Sequence, residues 1–518
     1  MKMKCMVFLT VVLFVLGSFI SVTPNGNAGT KGGPIPKYPG VTVRVLVKGA
    51  PIHGANGLYF GPDGNLYVAC AVGNEIIKMD PNSGRILDRI GQERKVDGPD
   101  DLVFGTEGSL YWTVFGTGDI GKLAPDGSHT TIVNLGQGVN PITFSHDNQW
   151  LYIARDFLGK GLYRVRPDGS EPTALLPDLE NLNAFDFGPD GWLYGPIYGQ
   201  KVIKINVDTL VIKDVITGIA PSAVKFDSQG RLYTNDNNTG EVFRYDLGTK
   251  NLQVLATLPF SMDNLAIDSR NHVYVSSDAD GYIAKILPNG NYVILSPGGM
   301  ILPSGVAVLQ RPDGGESVYV GDAWSLREFD GQTGKVRSVE PAGIVSLGVT
   351  GLPFSLAADG DNLLVASTLS SVIQEYDPID HTVLASYRDS IIPGVPFMPV
   401  NAIRFEGDIV ATDFITGLVV RVFKIPSSVP VSTELDGPEG LAYYPPDGSL
   451  LVVEANAGRL SKIDPITGEK IILADGLELG FKWHPVVPII DGVTVGPSGT
   501  IYVTGNKANV LYRIEIHR

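Results

Sequence analysis

Cysteine is nearly absent, with only Cys5 and Cys70 in 518 residues. Cys5 falls in an N-terminal segment where Lys2 and Lys4 precede an apolar run from Met6 to Val22 and a Gly26-Asn27-Ala28 ending, which reads as a secretory signal peptide over residues 1–28. The run approaches the roughly 17 residues of a minimal membrane-spanning helix, but the small residues before Gly29 favour cleavage over retention as an anchor. The mature chain then keeps Cys70 alone and can form no internal disulfide. A protein sent to an oxidising compartment without disulfides must draw its stability from a large core, and some 490 residues are enough to build one. The expected location is secreted or periplasmic. No later apolar run could span a membrane as a helix, so no membrane association is expected after cleavage.

Basic runs are missing too. The formal charge of −15 becomes −17 when Lys2 and Lys4 are removed, and no stretch of five or more basic residues occurs. Nucleic acid is therefore not an expected partner. Histidine is scarce, at seven residues, and no helical period is visible beyond the leader. Gly-x-Ser-x-Gly, Walker, His-Glu-x-x-His and Cys-x-x-Cys patterns are lacking.

What the chain has is a repeat. Asn56-Gly-Leu-Tyr-Phe-Gly-Pro-Asp-Gly-Asn-Leu-Tyr-Val-Ala returns as Asp100-Asp-Leu-Val-Phe-Gly-Thr-Glu-Gly-Ser-Leu-Tyr-Trp-Thr. It returns more loosely from Asn140, Asn183, Ser222, Asp263, Ser304, Phe354, Asn401, Glu439 and Asp491, at spacings of 38 to 52 residues. Each unit holds a short apolar strand, an Asp-Gly-type turn, a Leu-Tyr-Val-type strand, a polar hairpin and two more strands. Asp-Gly between alternating strands is a strong hairpin signal, because glycine supplies positive φ at little cost. Four antiparallel strands per unit of about forty residues make a propeller blade. The fold class expected is all-β, with about eleven four-stranded blade repeats.

Eleven blades in one ring would be unusually many, so two packed propellers are expected, with repeats 1–6 over residues 29–300 and repeats 7–11 over 301–518. The last repeat ends after its third strand, and strand 41–47 is expected to complete that blade, which would remove an exposed edge.

In a propeller, the starts of the innermost strands and the hairpins between second and third strands share one face. Seven of the eleven blade-start positions are Asn or Asp, a donor set that suits Ca²⁺ or another divalent cation such as Mg²⁺. The same residues also favour turns by bonding their own backbone, and both readings stand at this stage. Asp156 stands at the hairpin position with Arg155 beside it, the latter able to orient an anionic group or to pair with that carboxylate. His53 and His484 precede innermost strands and are candidate general bases. Trp483 is a candidate wall for a ligand pocket.

The repeats resemble the gluconolactonase/regucalcin-like and NHL-type six-bladed propellers, most closely over residues 56–90, and the Asp491 to Gly499 stretch is similar to streptogramin lyases. That resemblance implies a metal-dependent hydrolase or lyase that opens a lactone or other cyclic ester at the channel. Its ion would be held by Glu, Asn and Asp at blade starts, here Asn56, Asp100, Asn140 and Glu439. The chain departs from the family in length and blade number. The alternative is a non-catalytic propeller that binds a partner protein or glycan.

Overall fold

A computed structural model describes residues 33–259, 261–341, 353–367, 371–387, 399–405, 408–413, 418–421, 435–464, 466–481 and 489–517. Residues 1–28, expected to be a signal peptide, and Trp483 and His484 lie outside these residues. No described helix is long and apolar enough to cross a membrane. The protein is a β-propeller protein, as the repeat predicts. Eleven antiparallel sheets are formed among the described residues, nine of them four-stranded. The chain divides into two compact units, one spanning Ala50–Gly299 and the other taking residues 33–49 together with those from Met300 onward, apart from 483–485.

The Ala50–Gly299 unit is a ring of six four-stranded blades, each made from consecutive strands. The innermost strands are Leu58–Phe60, Pro99–Phe104, Val139–Phe144, Asp186–Phe187, Val224–Phe226 and Leu265–Ile267. Five of these end in phenylalanine, for a physical reason. Each such ring meets, edge to face, the tyrosine of the Leu-Tyr strand in the blade before it: Phe104 on Tyr67, Phe144 on Tyr111, Phe187 on Tyr152 and Phe226 on Tyr194, with centroids 4.8 to 5.4 Å apart. The ring closes by the same contact, because Phe60 of the first blade packs on Tyr274 of the sixth at 5.1 Å. Here Ser276 Oγ also donates to the Asn56 carbonyl at 2.6 Å, and Ala55 N–H donates to the Ser277 carbonyl at 3.1 Å.

Each tyrosine carries a polar tip that a wholly buried ring could not tolerate unpaired. In five of the six blades the tip is satisfied by the acid of its own blade's turn. Tyr111 donates to Glu107 at 2.8 Å, Tyr194 to Asp190 at 2.8 Å and Tyr233 to Asp227 at 3.0 Å. The Asp-Gly turn thus shapes the hairpin and also receives the hydroxyl of the strand that follows.

In the other unit, four sheets are built on Val306–Gln310, Pro353–Asp359, Pro399–Phe405 and Pro438–Tyr444. The fifth contains Val493–Val495, Ile501–Gly505 and Val510–Ile516, with Val41–Lys48 on its outer edge. That strand runs antiparallel to Val510–Ile516, from Val41 opposite Ile516 to Lys48 opposite Val510. Residues 41–47 thus belong with the unit that follows Met300. Tyr502 of the fifth sheet donates to Glu316 of the first at 2.7 Å, a contact across 186 residues.

Removing the ring-closing pair tests whether the aromatic contact does more than fill space. In a double-mutant cycle of Phe60→Leu and Tyr274→Leu, read by urea unfolding, we expect a coupling energy of about 1 kcal/mol. Additive effects would reduce the pair to ordinary apolar burial.

Candidate functional site

The six blade starts of the Ala50–Gly299 ring supply Asn56, Asp100, Asn140, Asn183, Ser222 and Asp263, and the hairpins after the second strands supply Asp156 and Asp278. Local structure sorts them into groups. Asn56 Oδ1 accepts the Ala71 N–H at 3.2 Å, and Asn183 Oδ1 accepts the N–H of Ala184 at 2.6 Å. Ser222 bonds Asn235 and the Met262 carbonyl. These oxygens are committed to backbone or to neighbouring blades. Asp236, at the hairpin position of its own blade, accepts the N–H groups of Ala220 and Asn238 and is a turn residue.

Four carboxylates remain, from blades two, three and six; Asp100 and Asp156 are buried, and Asp263 and Asp278 are half-buried. Asp100 is pushed up to about 8 by burial and then by the charges of Asp101 and Asp278. Burial drives Asp156 well above the usual carboxylate range, Asp100 adds to this, and the amides of Asn140 and Asn183 oppose it. Asp263 is raised by burial and then by Asp278, Asp100, Asp101 and Asp156 in turn. Burial also raises Asp278, against the hydroxyl of Ser261 and the N–H of Ala279. After burial, the charges that raise this set are those of other carboxylates.

A second acidic level in the same ring shows what compensation looks like. Asp101 and Asp186 are also buried and raised, but both are opposed by Lys225, itself 9% exposed. Asp101 further accepts the Ile142 N–H at 3.1 Å and the Asn264 amide at 3.2 Å, which ties three blades together. That level is a structural ion cluster.

Within the uncompensated set, Asp156 is the most informative residue. Its side chain has no exposed surface. Oδ2 accepts both Asn183 Nδ2 at 2.9 Å and Asn140 Nδ2 at 3.3 Å, whereas Oδ1 has no hydrogen-bond partner among the described residues. A buried carboxylate oxygen left bare costs on the order of 1–3 kcal/mol or more, so two neighbouring blades hold this group in a position that needs another ligand.

The other sequence candidates are placed as follows. Arg155 does not pair with Asp156, and its Nε donates to the Gln137 carbonyl at 2.9 Å. His53 is 9% exposed, and its Cβ lies 3.2 Å from where a Cβ on Gly73 would stand. Its loop docks on the Asp278 hairpin through the Ala55 to Ser277 bond. Glu439 belongs to the other unit, where it accepts the Asp491 N–H at 2.7 Å and is raised to about 7 by burial. Asp491 in turn accepts the N–H groups of Gly480 and Asn506, at 2.6 and 2.8 Å. The four candidate ligands are thus divided, three in one unit and one in the other. A cavity of about 580 Å³ in that second unit is lined by proline, glycine and aliphatic residues together with Gln310, and Asp361 is its one ionisable side chain. It offers volume but little chemistry.

The repeat alignment places Asp263 and Asp278 at equivalent channel positions but singles out neither as an ion ligand or catalytic group. The signal that separates them from turn residues is the missing counter-charge, which alignment does not contain.

No protein-family model matches the chain. Nor does any curated protein match it. Among solved structures it is similar to a catalytically inactive virginiamycin B lyase from Staphylococcus aureus with quinupristin, at 13% identity and a TM-score of 0.38, covering 58% of this chain and 99% of that one. It is also similar to a gluconolactonase from Xanthomonas campestris, at 16% identity and a TM-score of 0.37, with 50% and 96% covered. A third is the extracellular domain of a putative one-component system from B. thetaiotaomicron, at 12% and 0.32, with 90% and 76% covered. These likenesses concern the fold, and no residue role is taken from them.

The Asp100 carboxyl makes the ring's stability depend on pH with a defined sign. The folded chain keeps a proton to about pH 8 that the unfolded chain releases near about pH 4. Its contribution is therefore fully present below about pH 4 and is lost as pH rises toward 8. In chelator, Asp100→Asn is expected to flatten the stability curve between about pH 5 and pH 8 and to exceed wild type by more than ~1 kcal/mol at about pH 8. Urea unfolding at several pH values reads this, and parallel curves would show that Asp100 ionises without penalty.

Proposed function

We propose that the six-bladed unit is a divalent-metal-dependent hydrolase or lyase that opens a lactone or other cyclic ester at the acidic end of its channel. The observation that carries this reading is the bare Oδ1 of Asp156 in a set of carboxylates without a paired cation. The residues present fit a hard divalent cation of the Ca²⁺ or Mg²⁺ class. Among the described residues, no three His, Cys, Asp or Glu side chains are grouped tightly enough to cage an ion by themselves. An ion would accordingly be held by Asp100 and Asp156, with Asn140 beside them. Mg²⁺ commonly binds through one or two carboxylates and keeps water or substrate in its remaining positions.

When bound, such an ion supplies Lewis acidity to an ester carbonyl. The chain's own residues account for the rest. Asn140 and Asn183 fix the orientation of Asp156 through its Oδ2. Asp263 is raised by burial and then by the Asp278 charge, and Asp278 by burial, so either carboxyl is suited to give a proton to a leaving alkoxide. His53, on the loop bonded to the Asp278 hairpin, is the alternative base. Secretion with removal of residues 1–28 belongs to the same reading and is checked by N-terminal sequencing of the exported protein.

A second reading, a non-catalytic propeller binding a partner protein or glycan, is favoured by one specific observation. Asn56, Asn183 and Ser222 bond back into the scaffold, as they would without any ion.

Thermal unfolding in chelator, followed by single additions of Ca²⁺, Mg²⁺, Mn²⁺ or Zn²⁺, separates the two. A saturating ion is expected to raise Tm by several degrees, since binding at a hundred times Kd contributes about 2.7 kcal/mol. Asp156→Asn is expected to lose that rise, and also at least about a hundred-fold in any cyclic-ester opening found with the ion present. No shift with any ion would set the metal-dependent reading aside in favour of the binding one.

A further inference from the structure

The hairpins between second and third strands are turns, where polar residues and glycine ordinarily dominate. In three consecutive blades of the Ala50–Gly299 ring they carry aromatic residues instead: Phe115, Phe157 and Tyr198. The three rings form a chain, with Phe115 and Phe157 centroids 6.4 Å apart and Phe157 and Tyr198 5.1 Å apart at an interplanar angle of 80°. Phe157 is 42% exposed and Tyr198 36% exposed. Phe157 directly follows Asp156 and takes φ +48°, a left-handed conformation that bulky residues rarely adopt.

Tyr198 joins this aromatic row to the carboxylates. Its ring edge reaches solvent, while burial and the charges of Asp278, Asp263 and Asp156 raise its hydroxyl far above the usual tyrosine range. The hydroxyl thus feels the same carboxylates that lack a paired cation, while the residue as a whole keeps part of its surface exposed. Accessible aromatic faces beside uncompensated negative charge suit an organic cation. The rings offer their negative faces, and the carboxylates set a field that an uncharged ligand of the same shape cannot use.

We propose that the Phe115–Phe157–Tyr198 row is the subsite for a substituted ammonium group on the ligand, so that the channel selects small molecules carrying a cationic nitrogen. Two observations place it there: the contiguous rings, of which Phe157 and Tyr198 are exposed, and the Asp156 Oδ1 without a hydrogen-bond partner among the described residues, on the fully buried side chain that directly precedes Phe157. The inference rests on the same acidic channel mouth as the proposed function but names the ligand's charge, which that function leaves open. If a divalent ion takes Asp100 and Asp156, the Asp263 and Asp278 side remains for the ammonium.

Choline and its neutral isostere 3,3-dimethylbutan-1-ol probe this directly by calorimetric or NMR titration of the full chain, with the ion that raises Tm or, if none does, in chelator. Choline is expected to bind at least about ten-fold more tightly than the alcohol. Phe157→Leu should weaken choline by about ten-fold and leave the alcohol unchanged, and Phe157→Trp should restore choline binding. The ion-dependent Tm rise of Phe157→Leu should match wild type. Equal binding of the two probes, or choline binding insensitive to Phe157→Leu, overturns the ammonium subsite. Choline binding with no ion effect on Tm leaves the subsite standing and removes only the metal-dependent reading.

Discussion

Everything in the six-bladed unit depends on one recurring contact, the edge of a phenylalanine from one blade against the tyrosine of the blade before it. A blade buries little by itself, and a ring of blades stays closed only if every interface is dry and geometrically alike. The Phe–Tyr pair meets both needs, since its quadrupoles favour the tilted approach and its apolar area is large. The last interface, Phe60 on Tyr274, repeats four of the others, the sixth having Ile267 in place of the phenylalanine, and this ring closes without borrowing a strand from elsewhere in the chain. The other unit takes a different course. Its fifth sheet is completed by Val41–Lys48, which shields an edge that would otherwise stay open to pairing.

A closed ring of this kind can hold charge at the channel that an open surface would hydrate away. The contrast between two acidic levels shows how the scaffold uses this. Asp101 and Asp186 lie near Lys225 and serve to join blades, whereas Asp100 and Asp156, which are buried, and Asp263 and Asp278, which are half-buried, are raised by one another's charges with no lysine or arginine opposing them. The stabilisation that the aromatic interfaces supply is what lets a folded chain tolerate the second arrangement. Buried groups left in unfavourable surroundings mark functional sites more often than structural ones.

Much of the fold was legible in the residues. The Leu-Tyr strand, the acidic turn before it and the spacing of about forty residues dictate a four-stranded antiparallel unit, because a two-residue side-chain period and an Asp-Gly turn permit little else. The site was legible only in part. Asp100, Asp156 and Asn140 stand out as polar residues at equivalent repeat positions, and the structure gathers them in one unit. Glu439 occupies an equivalent position but lies in the other unit. Arg155 reads as a partner for Asp156, yet adjacent residues at a strand end point to opposite sides, and its guanidinium reaches the Gln137 carbonyl instead.

The sequence by itself determined the repeat, the blade, the scarcity of cysteine and the set of channel-facing positions, since each follows from local periodicity, turn chemistry and composition. Only the tertiary structure decided how many blades share a ring, which of the equivalent Asn and Asp residues are satisfied by their own turns, and which carboxylates are left facing one another. It also decided that Phe115, Phe157 and Tyr198, some forty residues apart in sequence, stand side by side. These outcomes depend on which blades become neighbours and on the balance of buried charge across them. That balance is a property of the closed ring and of no single repeat.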